Sequence, residues 1–150
     1  MLILTRTDSA NPDFNDLVKA LDADLAERDG EEHAFYAQFN KIAKIKFVVV
    51  AYENGILIGC GGMREYSANT VEIKRMYTSP GSRGKQIATK VLTELEKWAT
   101  ELSYEKCILE TGKRQPEAIG LYNKHGYKTI PNYGQYAETY NSLCFEKDIK

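Results

Sequence analysis

Long hydrophobic runs are missing from this sequence. Met1 to Arg6 is a short apolar stretch that meets a charge at once, and no later segment approaches the roughly 20 apolar residues that span a bilayer. Neither a membrane anchor nor a cleaved leader is expected, and the chain reads as cytoplasmic. An excess of one charge is missing too. With 20 basic residues against 21 acidic ones, there is no overall positive field to hold a polyanion or an acidic membrane surface. Nucleic acid and membranes are therefore not expected partners. Histidine is scarce: His33 and His125 lie far apart, too few for a zinc ligand set or a serine-histidine triad, and no metal is expected. The three cysteines, Cys60, Cys107 and Cys144, each sit in an apolar, strand-like run without a short-spaced partner, which predicts buried, reduced thiols rather than a catalytic thiolate. Repeats, low-complexity tracts and internal linkers are absent as well.

What is present is enough for one core: 150 residues, 43% of them hydrophobic, read as a single domain over residues 1–150. Leu2 to Leu4 opens as a strand. Asn11, Pro12 and Asp13 form a helix start, followed by Phe14, Leu17, Val18, Leu21 and Leu25 at helical spacing. A second short helix is expected from Glu31 to Asn40, with Phe35 and Phe39 on one face. Lys46 to Glu53 and Ile56 to Cys60 flank Asn54-Gly55, a dipeptide suited to a type I′ turn, and predict a hairpin. Thr70 to Tyr77 reads as a further strand. Ile87 to Leu102 keeps the period of an amphipathic helix, read as the longest in the chain. Lys106 to Glu110 predicts a buried strand, and Pro116 opens a helix through Tyr122 that stops near Gly126. Tyr127 to Ile130 and Ser142 to Phe145 predict two last strands. The order is that of a mixed α/β domain.

The most informative stretch is the strand Val71 to Tyr77, the turn Ser79 to Gly84, and the helix that follows. A strand feeding a glycine-bearing loop and a helix start makes an anion site, because unpaired amides of the first turn point at the ligand. Arg83 and Lys85 add full charges, and Gly81 and Gly84 let the backbone come close. An ordinary turn accounts for the same residues. No Gly-Lys-Ser or Gly-Lys-Thr ending is present, so nucleotide hydrolysis is not supported, and a coenzyme whose phosphates need no metal fits better.

Three segments taken together, Val71-Glu72-Ile73-Lys74-Arg75-Met76-Tyr77, Arg83-Gly84-Lys85-Gln86-Ile87-Ala88 and Leu121-Tyr122-Asn123-Lys124-His125-Gly126-Tyr127, resemble the GNAT superfamily of N-acetyltransferases. The likeness runs from about Phe47 to Phe145. It implies a central, mostly antiparallel sheet of six to seven strands, splayed between the fourth and fifth and flanked by about four helices. It further implies acetyl-coenzyme A as acyl donor. The family loop, Gln or Arg, two residues, Gly, one residue, then Gly or Ala, is matched at its ends by Arg83 and Ala88; Gln86 stands where the middle glycine is usual. If that position needs φ above zero, a side chain there costs on the order of 1 kcal/mol, while its amide still serves a phosphate.

By the same resemblance, coenzyme contacts fall on Met76, Tyr77, Thr78, Arg83, Gly84, Lys85, Gln86, Ile87 and Ala88, with main-chain groups near Met76 serving the acyl oxygen and the pantetheine arm. An amine attacks a thioester only when unprotonated, so a carboxylate must take its proton; Glu72 matches the family's base position, and the plainer alternative is a solvated strand residue paired with Lys74. Tyr122 matches the tyrosine that protonates the leaving thiolate, and the alternative is an aromatic packed against Leu121 and Ile119. Gln115 followed by Pro116 replaces an asparagine that often holds the coenzyme. The acidic residues Asp22, Asp24, Glu27, Asp29, Glu31 and Glu32 are either a solvated helix face or a lure for a cationic acceptor, and Tyr133, Tyr136 and Tyr140 either line the cleft or cover a dimer seam. The expected partner is a small-molecule amine, with a homodimer expected from the family alone. A protein or peptide acceptor, or an acetyl-coenzyme A sensor without turnover, are the competing functions.

Overall fold

Alternation in Phe47 to Ala51 explains how the sheet is buried on both faces. Val49 and Ala51 point to one apolar cluster, while Val48 and Val50 point to another, so this strand has no solvent side and its sequence is a continuous apolar run. The computed structural model describes residues 1–30 and 45–150; the helix expected at Glu31 to Asn40, with Phe35 and Phe39, lies outside the described residues. Among the described residues seven strands form one sheet: β1 (Leu2–Thr7), β2 (Phe47–Glu53), β3 (Ile56–Ser67), β4 (Thr70–Thr78), β5 (Lys106–Gly112), β6 (Lys128–Ile130) and β7 (Ser142–Asp148), in the spatial order β1-β2-β3-β4-β5-β7-β6. All neighbours are antiparallel except β4 and β5, which are parallel. Three α-helices are described: α1 (Pro12–Asp29), α2 (Ile87–Glu101) and α3 (Pro116–Lys124). This is the mixed sheet that the sequence predicts, with most strands two to seven residues longer than their apolar runs because pairing carries on past the buried part.

α1 starts where Asn11 caps it, its Oδ1 accepting from the amides of Asp13 at 2.9 Å and Phe14 at 3.1 Å. It ends at Gly30, whose φ of 57° turns the chain out of the helix. With 18 residues it is longer than α2, which has 15, so the expectation that Ile87 to Leu102 is the longest helix is corrected. Its weaker apolar stripe made its extent hard to read. Phe14, Leu17 and Val18 seal one face of the sheet with Ile45, Val48, Val50 and Cys60. α2 covers the other face with Ile87, Val91, Leu92, Leu95 and Ala99, each buried. Leu102 lies beyond the helix and is exposed.

Gly61 of β3 lets α2 lie close: a Cβ there would fall 2.4 Å from Met76 Sδ and 2.9 Å from Val91 Cγ1. The β2–β3 hairpin turns through Asn54 and Gly55, both with positive φ, as the type I′ dipeptide requires. All three cysteines are free and buried, as expected. No helix among the described residues is long and apolar enough to cross a membrane.

Candidate active site

β4 and β5 pair through only four positions, from Thr70↔Lys106 to Ile73↔Leu109, and then part. β5 continues beside β7 to Gly112, while β4 stays with β3 and absorbs a register shift opposite Cys60 and Gly62. Arg75 sits at that shift with φ 61°, a left-handed bulge residue in mid-strand. The wedge left between the strands opens into a cleft of about 380 Å³, walled by β4 from Glu72 to Thr78, the end of β5, the starts of α2 and α3, and Leu21, Asp24 and Leu25 of α1. Beyond Ile73 the β4 edge has no β5 partner, so its main-chain groups are left to other ligands.

At one end of the cleft the chain leaves β4 through Pro80–Ser82, a single 3-10 turn, and enters α2. Gly84 has φ 83° and Gln86 has φ 63° and ψ 26°, so the position that usually holds glycine is left-handed here. The Gln86 side chain makes no capping bond, and the first amides of a helix have no acceptor within it. An anionic group fits this start, where amides and helix dipole act together. Arg83 lies beside it, its Nε donating to the Thr78 carbonyl at 3.1 Å and its guanidinium 5.7 Å from the Tyr77 ring centre. Of the expected coenzyme contacts, Met76, Tyr77, Thr78, Arg83, Gly84, Gln86, Ile87 and Ala88 line the cleft; Lys85 is exposed and is not on its wall. Gln115 lines it as well, in place of the family's asparagine.

Glu72 is 1% exposed. Two donors meet it there: Arg64 Nε lies 2.8 Å from Oε1 and the Tyr133 hydroxyl donates to Oε2 at 2.6 Å. A buried carboxylate needs such partners, and Arg64 supplies the opposite charge from the paired position on β3. The alternative of a solvated residue is therefore corrected, while Lys74 stays within the field of this carboxylate. Burial pushes the Tyr133 phenol far above its usual range, and the Glu72 charge adds to this. Lys74, two residues on and facing the same side, is pushed down by burial, opposed by the Glu72 carboxylate.

Tyr122 belongs to both core and cleft. Its ring packs at 5.6 Å from Tyr127 and 6.0 Å from Phe145, not against Leu121 and Ile119 alone, and it reaches the cleft wall. Burial raises its ionisation well above the phenol range, with the Glu110 charge adding to the effect, so the hydroxyl keeps its proton at neutral pH.

Strand register also brings Lys74, Arg75 and Glu110 to the cleft wall, and Arg64 behind it onto Glu72; neither Arg64 nor Glu110 carried a signal in sequence. Of the three late tyrosines, Tyr136 lines the cleft and Tyr133 reaches Glu72, whereas Tyr140 is 83% exposed under Lys113. The acidic residues of α1 are partly consumed internally. Asp22 pairs with Arg75, and Asp24 shares Arg28 with Glu117 at the start of α3, an ion pair that ties α1 to α3. Glu27 is exposed, and Glu31 and Glu32 lie outside the described residues.

Comparison with known proteins agrees with this geometry. Residues 14–127 match the Acetyltransferase (GNAT) family. The chain is 32% identical over 136 residues to an IAA acetyltransferase of Azospirillum brasilense, covering 89% of this chain and 88% of that one. A Klebsiella pneumoniae structure, provisionally named an acyl-CoA N-acyltransferase, superposes with a TM-score of 0.84 at 26% identity, covering 100% of this chain and 99% of the other. The PaiA N-acetyltransferase of Thermoplasma acidophilum, solved in complex with coenzyme A, shares the fold with a TM-score of 0.74 at 18% identity over 99% of each chain. The chain belongs to the GNAT family of acetyltransferases.

Proposed function

We propose that the protein, as one catalytic domain over residues 1–150, transfers the acetyl group of acetyl-coenzyme A to the primary amine of a small molecule, with both substrates bound at once. One observation carries this: a buried carboxylate, Glu72, and a buried, protonated phenol, Tyr122, stand on the walls of one cleft whose end is an uncapped helix start. Acetyl-coenzyme A supplies the activated acyl group. Its pyrophosphate suits the α2 amides and Arg83, and its pantetheine arm suits the unpaired edge of β4 near Met76 to Thr78. Coenzyme A in a structure of the same fold supports this assignment.

The acceptor enters as an ammonium and must lose a proton before it attacks. Each Glu72 oxygen already receives one hydrogen bond but has room for a second, so a water between Glu72 and the amine completes the relay. As the new amide bond forms, a main-chain amide of the splayed β4 edge meets the developing oxyanion. The C–S bond then breaks, and Tyr122 gives its proton to the departing sulfur. A cytoplasmic location, which three free, reduced cysteines suit, and a homodimer, resting on the family alone, belong to the same proposal.

The test is thiol release from acetyl-coenzyme A across small amines and peptides, with Glu72→Gln beside the wild type. Acceptor-dependent release that Glu72→Gln loses supports the assignment. Coenzyme binding without release from any acceptor contradicts it and favours a sensor.

A further inference from the structure

The carboxylate that would take the acceptor's proton is held from behind the cleft. Glu72 is part of the cleft wall, whereas Arg64 and Tyr133, the two donors on its oxygens, are not. The pairing with Arg64 follows from the sheet itself. Arg64 stands directly opposite Glu72 in the β3–β4 ladder, within a run of four regular pairs, Gly62↔Lys74 to Glu65↔Val71, that a register shift closes at each end. A slip of one residue there would turn Arg64 to the other face of the sheet, so the register that keeps β3 on β4 also keeps the guanidinium on this carboxylate.

The two donors differ in what they can do. Tyr133 is a neutral group on the loop between β6 and β7, while Arg64 is carried by an inner strand and brings a full positive charge. The Glu72 side chain is 1% exposed, so its charge needs a compensating cation; Arg64, 26% exposed, meets it while the outer donors of the guanidinium stay within reach of water. The last torsion of a glutamate is broad and by itself fixes no orientation. With Nε 2.8 Å from Oε1, the carboxylate keeps one orientation, and the lone pairs left over keep one direction along which a water or an amine can meet them.

Resting on Glu72 as the base in the function proposed above, we infer that Arg64 is a positioning residue for the reaction: it sets the direction of the Glu72 carboxylate without touching either substrate. The experiment measures acceptor-dependent thiol release from acetyl-coenzyme A by the wild type, Arg64→Met, Arg64→Lys, Glu72→Gln and the double variant Arg64→Met with Glu72→Gln. Arg64→Met should lower kcat by about 10²-fold, the scale for a reacting group misplaced by an ångström, with KM for acetyl-coenzyme A changed by less than about twofold. Arg64→Lys should recover all but a severalfold loss, because the contact runs through Nε alone and a lysine ammonium can reach the same oxygen. In the Glu72→Gln background Arg64→Met should change kcat by less than about twofold, since no carboxylate is left to direct. Wild-type kcat in Arg64→Met, or the same fold loss in both backgrounds, overturns the inference and leaves Glu72 as base. Full activity in Glu72→Gln removes the base and the inference with it. Should Arg64→Met not fold, Arg64→Lys is compared in the two backgrounds: a severalfold loss beside Glu72 and none in Glu72→Gln supports the positioning role, and an equal change in both overturns it.

Discussion

Tyr133 donates its phenolic hydrogen to Oε2 of Glu72 at 2.6 Å across 61 residues of sequence, tying the loop between β6 and β7 to the wall of the cleft. Tyr133→Phe keeps the ring against Tyr66 and Tyr136, 5.3 and 5.8 Å away, and removes only that bond. The carboxylate then keeps Arg64 but loses its second anchor. We expect kcat to fall about tenfold with KM for acetyl-coenzyme A unchanged, while Glu72→Gln falls by roughly 10²–10⁴. Steady-state kinetics separate the two, and full activity in Glu72→Gln contradicts its role as base.

Tyr122→Phe tests the acid. The substitution keeps the ring packing with Tyr127 and Phe145, so folding should be preserved. Loss of the proton donor should lower kcat by roughly 10² or more at neutral pH, with coenzyme affinity retained. Because burial lifts the Tyr122 ionisation above the phenol range, no alkaline limb from this group should appear below about pH 10. Unchanged kcat in the variant would reduce Tyr122 to a core aromatic.

Gln86 holds φ 63° where glycine is free of penalty. Gln86→Gly should relieve on the order of 1 kcal/mol of backbone strain, partly offset by the added freedom of glycine in the unfolded chain. The unfolding midpoint should rise by roughly 1–3 °C, with coenzyme affinity the same or tighter. Weaker binding in the variant would show that the Gln86 side chain itself holds the ligand.

The buried thiols make stability fall at high pH. Burial pushes Cys60 and Cys107 up to about 12 and Cys144 up to about 11, whereas unfolded thiols ionise near 8.5. Between those values the unfolded chain binds fewer protons than the folded one, so the slope of unfolding free energy with pH is negative. Stability should be level up to about pH 8 and then fall, by up to about 1.4 kcal/mol per pH unit for each thiol. Cys60→Ala should flatten the decline measured by urea unfolding; an unaltered slope would remove this thiol from the cause.

Elements defined by local chemistry were readable from sequence. The Asn11 cap, the Asn54-Gly55 turn, the α2 stripe and the glycine-bearing loop each carry their cause within a few residues. Glu72 and Tyr122 follow from family resemblance rather than spacing, and both lie on the cleft wall. What could not be read was set by pairing across distance. Arg64 meets Glu72 because β3 and β4 pair in one register, and Arg75 meets Asp22 because a bulge turns it under α1. One of those pairings changed the meaning of an acidic residue in α1: Asp22 looks unmatched in sequence and is matched in space by Arg75. The length of α1 is not legible because its last two turns carry no buried apolar stripe and simply run on to Gly30.

The most direct measurement is acetyl-coenzyme A consumption, read as released thiol, with the wild type, Glu72→Gln and Tyr122→Phe assayed on the same panel of amino acids and amines. Acceptor-dependent release by the wild type, lost in both variants while each still binds coenzyme A, is the predicted result. Coenzyme binding by all three without acceptor-dependent release, or undiminished release by both variants, would contradict the catalytic assignment of this cleft.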